Sequence, residues 1–134
     1  MGPPPIQKDS AMTVFDATTL QHLVDDDSGS SFVLDLARTY RRMLPTRVSR
    51  TVVAVMTFDA EDALDTVLSL KVSSTMTGAL ELADLAATIE ADLRAGDLRR
   101  AHARVDLLAP AAERADAAIG AWLATVTPRP TAAV

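Results

Sequence analysis

The chain has 134 residues, 49% of them apolar, carries a formal net charge of −5 and contains no cysteine. That is one domain's length with enough apolar content for a core, and it excludes disulfides, thiolate metal sites and a cysteine nucleophile. The acidic balance sets aside nucleic acid and anionic membranes as partners, because both require a basic face that displaces counterions.

The apolar set is mostly Ala, Leu and Val, and aromatic residues make up only 4%. Ala and Leu favour helices, and the scarcity of aromatics disfavours a β-sandwich or barrel. Residues 1–13 open with Met1-Gly2-Pro3-Pro4-Pro5 and read as a disordered segment, with Met12 as an alternative natural start. They lack the basic start and apolar stretch of a signal peptide. No apolar run approaches the roughly 18–20 residues of a membrane span, so a cytoplasmic protein is expected.

The folded domain is expected over residues 14–125. Asp16 is a good N-cap for a first helix over Ala17–Asp25, with Phe15 and Leu20 placed as a hydrophobic staple. A polar loop, Asp25-Asp26-Asp27-Ser28-Gly29, ends it. Ser30 or Ser31 opens the second helix, where Val33, Leu36, Ala37, Tyr40 and Leu44 repeat at helical spacing. Pro45 is expected to kink or break it, because proline removes a backbone donor and crowds the preceding turn. Val48, Val52, Val55 and Met56 then resume the stripe.

Asp59 caps a third helix from about Ala60 to Thr75. Thr77-Gly78 separates it from a fourth over Ala79–Ala95, with Leu82, Leu85, Ala86, Ile89 and Leu93 on one face. Gly96 stops that helix and Asp97 starts the next. A last helix is expected over Leu98–Thr125, bent at Pro110, with Leu98, Ala101, Val105, Leu108, Ala112, Ala115, Ile119 and Trp122 alternating by three and four. Residues 126–134 form a Pro-containing, flexible tail. No strand pattern and no internal repeat competes. The sum is an all-α, antiparallel four-helix bundle with a short N-terminal cover helix.

Chemistry is sparse. His22 and His102 each lack the neighbour three or four residues away that would make a metal pair, and read as surface or boundary residues. No Glu-x-x-His pair, Gly-rich phosphate loop or nucleophile triad is present. Neither a metal, a cofactor nor an enzymatic activity is expected. Arg38, Arg41, Arg42, Arg94, Arg99 and Arg100 read as solvated faces and helix ends.

The third helix is unusual. Ala63, Val67, Leu70 and Ser74 form its core stripe. Leu68 stands about 130° and Val72 about 170° from the stripe centre at 100° per residue. Leu64, Lys71 and Thr75 join them to the core edge. Leu64, Leu68 and Val72 thus make an apolar ridge turned away from the core stripe, which is either a docking surface or a face covered by another helix.

Val67-Leu68-Ser69-Leu70-Lys71-Val72-Ser73-Ser74 resembles the signature of histidine-containing phosphotransfer domains, Ala-His-x-Leu-Lys-Gly-Ser-Ser. Leu70, Lys71, Ser73 and Ser74 match it. Gly78-Ala79, Leu82 and Ile89-Glu90 resemble the Gly-Ala, Leu and Leu-Glu found downstream in that family, and Phe15-Asp16 and Asp59 fit upstream, so the likeness spans residues 15–122. Two departures stand out: Leu68 takes the place of the phosphorylated histidine, and Val72 that of a glycine one turn on. Leucine has no lone pair to attack phosphorus. The resemblance therefore implies a degenerate member that binds a response-regulator receiver domain or a histidine kinase as adaptor, competitor or scaffold, without carrying phosphate. Its docking residues would be Leu64, Leu68, Lys71, Val72 and Thr75. Lys71, without the phosphate it steadies in the family, reads as a solvated lysine. The alternatives are phosphate transfer through another residue, a helical interaction or dimerisation module unrelated to phosphorelay, and a relic without a partner.

Overall fold

In a computed structural model the described residues are 13–25 and 30–126. The expected loop at residues 26–29 and most of both terminal segments lie outside them. All regular structure among the described residues is helical: α1 (Thr18–Asp25), α2 (Ser30–Met56), α3 (Ala60–Thr77), α4 (Leu80–Arg94), α5 (Leu98–Arg104), a short 3-10 turn (Val105–Leu107) and α6 (Leu108–Val126).

The helix starts follow local chemistry. Asp16 Oδ1 accepts from the Thr18 backbone N–H at 2.9 Å and from its hydroxyl at 2.6 Å, and these bonds hold the Asp16 carboxyl below its ordinary pKa. Asp59 accepts from the Asp62 N–H and Asp97 from the Arg100 N–H, so each satisfies an orphan donor of the first turn. Gly78, at φ +93°, closes α3 by donating to the carbonyls of Ser74 and Thr75.

The two prolines have different outcomes. Pro45 sits inside α2, which is one helix of 27 residues rather than two pieces. The stripe of buried residues on either side, from Val33 to Val55, holds the two halves in one helix despite the missing donor. Conversely, the expected last helix is two. The break comes at Val105–Leu107, before Pro110, which falls in the first turn of α6. There proline's absent N–H costs little, because first-turn donors have no partner inside the helix.

Each long helix packs on two others: α2 on α3 and α6, and α4 on α3 and α6, with α1 against α2 and α3. One apolar core runs through them, including Leu20, Val33, Leu44, Val67, Leu70, Leu82, Ile89, Leu108 and Ile119. Small residues let the helices approach: Ala63 on α3, Ala86 on α4, Ala112 and Ala115 on α6 are all buried. Met56, expected on the apolar stripe of the second helix, is instead exposed, as is Leu23. Both lie near the last turn of a helix, where fewer neighbours remain to cover them.

The α3–α4 turn is tied to the start of the fold. The Asp16 N–H donates to the Gly78 carbonyl at 2.8 Å. Phe15 meets Trp122 edge to face, with ring centroids 6.1 Å apart, and the Trp122 indole N–H donates to Gln21 Oε1 at 2.9 Å. No helix among the described residues is long and apolar enough to cross a membrane.

Candidate functional site

The α3 signature segment is built outward from its buried side. Ala63, Val67, Leu70, Ser74 and Thr77 face the core. Leu64 is half-buried and packs against the core from its edge. Leu68 is half-buried, and Val72 is 50% exposed. One turn further, Met76 is 60% exposed. The ridge thus climbs out of the protein along α3, from Leu64 at the core edge to Met76 in solvent. An i, i+4 row drifts around a helix in this way, because four residues turn through about 400° rather than a full circle.

Lys71, Ser73 and Ser74 of the segment are engaged by the protein itself, whereas Ser69 is exposed. Lys71 Nζ donates to Glu90 Oε1 on α4 at 2.6 Å, and Arg94 Nε donates to the other carboxylate oxygen at 2.7 Å. Lys71 is therefore not the solvated lysine that the sequence suggests: α4 supplies an anion for it. Glu90 is held below the ordinary carboxylate pKa by the hydrogen bond from Lys71, then by that from Arg94. Its side chain keeps only 12% of its surface in solvent.

The serines have internal roles too. The Ser74 hydroxyl pairs with the Tyr40 hydroxyl at 2.7 Å in the core between α2 and α3. Burial pushes the Tyr40 pKa up to about 12 against the opposing pull of that bond. Ser73 donates to the carbonyls of Ser69 and Leu70, and Thr75 to that of Lys71 at 2.8 Å. Leu68, Val72 and Met76 thus present apolar surface, with the Lys71 ammonium and the Ser73, Ser74 and Thr75 hydroxyls turned to partners of their own, while Asp65 and Ser69 stand exposed beside them on the same side of the helix.

Met76 is missed from sequence because the helix is expected to stop at Thr75. Carrying the i, i+4 row past that point would have reached it. The role of Glu90 is equally hidden, since a pair nineteen positions apart depends on how α3 and α4 pack. The two histidines stand away from this segment: His22 is exposed on α1, and His102 on α5 stacks on Phe58, with ring centroids 5.5 Å apart and planes 9° apart.

Among the described residues, recesses flank the long helices. A shallow one beside α3 is lined by Leu36, Thr39, Tyr40, Arg47, Ser73 and Met76, among others. A polar one holds Arg47 and Arg50 opposite Asp62 and Asp65. A third, a groove of about 700 Å³ between α2 and α6, is lined by Leu44, Pro45, Val48, Val52, Ala109 and Ala112, and also by Arg41 and Asp116. Arg41 reaches Asp116 through two bonds, of 2.7 and 3.2 Å. Among the described residues, no group of three or more His, Asp or Glu side chains is gathered as a metal site would need.

Comparison of the chain with protein-family models, with curated proteins and with solved structures returns no match.

Proposed function

We propose that this chain is a phosphotransfer-like signalling bundle without its phosphoacceptor, which docks a receiver domain or a histidine kinase and carries no phosphate. The observation that carries the reading is the outer face of α3: Leu68 in the acceptor's place, with the exposed Val72 and Met76 beyond it. In the family that this segment resembles, the surface around the acceptor meets the partner. Here the same positions are apolar, and a face that is apolar and open to solvent is suited to protein contact.

The ring of packing from α2 to α3 to α4 to α6 and back, with α1 against α2 and α3, fits an antiparallel four-helix bundle with a cover helix. The bond between Asp16 and Gly78 also brings together two segments that carry the resemblance. Docking would rest on Leu68 and Val72, with Leu64 at the edge. Lys71 and Thr75 would contribute carbon surface, since their polar groups are engaged elsewhere.

The test is a gain of function. Replacing Leu68→His and Val72→Gly together restores an imidazole and clears its neighbourhood. Label should then pass from phosphorylated receiver domains to the folded double variant and not to the wild type. If no receiver labels the variant while a genuine phosphotransfer protein is labelled in the same tube, the reading fails.

A helical interaction module unrelated to phosphorelay is the second reading. It is favoured by the Lys71–Glu90–Arg94 cluster, which spends the lysine on internal packing rather than on an incoming acidic partner.

A further inference from the structure

α2 carries five arginines against a single acidic residue, Asp35, in a chain whose net charge is −5. Its solvent side is also unusually apolar: Phe32 is 70% exposed, Val53 57% and Met43 41%. These residues fall into one pattern. Positions 32, 35, 39, 42, 43, 46, 50 and 53 are spaced by three, four, three, one, three, four and three residues. The spacing keeps them on a single helix face. All are exposed except the half-buried Thr39.

The series reads the same in both directions about the midpoint between Arg42 and Met43. Two such helices laid antiparallel across a two-fold axis at that midpoint would oppose Phe32 to Val53, Asp35 to Arg50, and Thr39 to Thr46, twice each. Apolar meets apolar, acid meets base and hydroxyl meets hydroxyl in these pairs; at the axis itself Arg42 falls opposite Met43 of the copy. Any helix stripe of this width has such spacing; what points to a second copy is the residue types, where Asp35 falls opposite Arg50 and Phe32 opposite Val53, as an isologous interface requires.

We propose that the chain forms a two-fold symmetric homodimer in which the outer face of α2 packs antiparallel on the same face of a second copy. The contact runs for about 30 Å along the helix at 1.5 Å per residue. The local charges permit it. Asp35 is bound to Arg38 only through an exposed pair at 3.3 Å, a type of contact that contributes little and is readily exchanged. Arg50 shares its recess with Asp62 and Asp65 and forms no ion pair with either. The Arg42 guanidinium, nearest the axis, is drawn back along its own helix to the Thr39 hydroxyl at 3.2 Å, which eases its repulsion from its copy. The proposal is independent of the receiver-docking reading, which concerns α3.

Sedimentation velocity on the full chain tests it, with circular dichroism confirming that each variant is folded. Wild type should show a concentration-dependent monomer–dimer equilibrium. Asp35→Arg and Arg50→Asp should each weaken the dimer by about tenfold or more, because like charges then face one another at two places. An equimolar mixture of the two single variants should dimerise again, since every charge then meets its opposite, and so should the double variant. Phe32→Glu should dissociate the dimer without rescue. A wild type that stays monomeric at its highest soluble concentration overturns the proposal. Single variants that dimerise like wild type, or a mixture that fails to recover, overturn it equally.

Discussion

Lys71 on α3 and Glu90 on α4 meet at 2.6 Å, and Arg94 closes on the same carboxylate from one turn further along α4. The pair converts a lysine that the resemblance assigns to phosphate into a strut between two helices. With Ser73, Ser74 and Thr75 also bonded internally, Leu68, Val72 and Met76 stand on the outer face of α3 with Asp65 and Ser69 as their exposed polar neighbours.

The cluster should make stability depend on pH in a defined direction. The pKa of Glu90 is depressed in the folded state, so its contribution is present above the unfolded value of about 4.3 and is lost as pH falls through the folded value. Glu90→Gln should cost about 1 kcal/mol at neutral pH, a figure kept small because both cations are partly solvated. The gap in melting temperature between wild type and variant should narrow as pH falls below the unfolded value of about 4.3. A gap independent of pH would show that the carboxylate charge contributes nothing.

Gly78 and Gly96 offer a matched comparison. Both have positive φ, at +93° and +75°. A Cβ on Gly96 meets nothing within 4 Å, so Gly96→Ala should cost only the left-handed strain, about 1 kcal/mol. A Cβ on Gly78 would run into the Asp16 carbonyl, which must shift and take the bond between Asp16 and Gly78 with it. Gly78→Ala should therefore cost clearly more than Gly96→Ala, by at least about 1 kcal/mol in denaturant unfolding. Equal costs would contradict the anchoring of the N-terminal segment on this turn.

Tyr40→Phe removes one half of a buried hydroxyl pair. Ser74, fully buried, would be left without its side-chain partner. A loss of about 1–2 kcal/mol is expected by chemical denaturation, and Tyr40→Phe with Ser74→Ala should recover part of it, because no orphaned polar group then remains. A double variant as unstable as the sum of its singles would argue against the pairing.

Much of this fold was legible in the chain. Asp16, Asp59 and Asp97 announced helix starts, Gly78 and Gly96 announced stops, and the stripes on α2, α3, α4 and α6 named most of the core. These signals are local: a cap acts within three residues and a stripe repeats within four. The sequence left open whether Pro45 breaks its helix and placed the last bend at Pro110 rather than at Val105–Leu107, because a proline's effect depends on position and on tertiary packing. Pro45 is carried through by the buried stripe around it, and Pro110 is harmless in a first turn. The site was read only in part. The outward turn of Leu68 and Val72 follows from helical geometry, but the capture of Lys71 by Glu90 requires the packing of α3 on α4. Met76 was lost to a helix boundary drawn two residues short, and the palindromic face of α2 is invisible to a search for amphipathic stripes toward the core.

Substitutions along the ridge should follow its climb out of the core. Val72→Glu should change stability by less than about 0.5 kcal/mol, as surface changes usually do. Leu64→Glu should cost more, since Leu64 packs on the core edge. Leu70→Asp, at a fully buried position, should unfold the domain, because an unpaired buried carboxylate costs several kcal/mol. Any other order of melting temperatures would contradict the ridge's placement.

The central claim is that the outer face of α3 docks a receiver domain or a kinase without accepting phosphate. Its most direct measurement is a calorimetric titration of purified receiver domains and kinase catalytic cores from the same source into wild type and into Val72→Glu, with phosphate label followed in parallel. The account expects saturable binding by wild type to at least one of them, a loss of about tenfold or more in affinity for Val72→Glu with unchanged melting, and no label on the protein. Absence of binding across the panel, binding untouched by Val72→Glu, or label on His22 or His102 would contradict it.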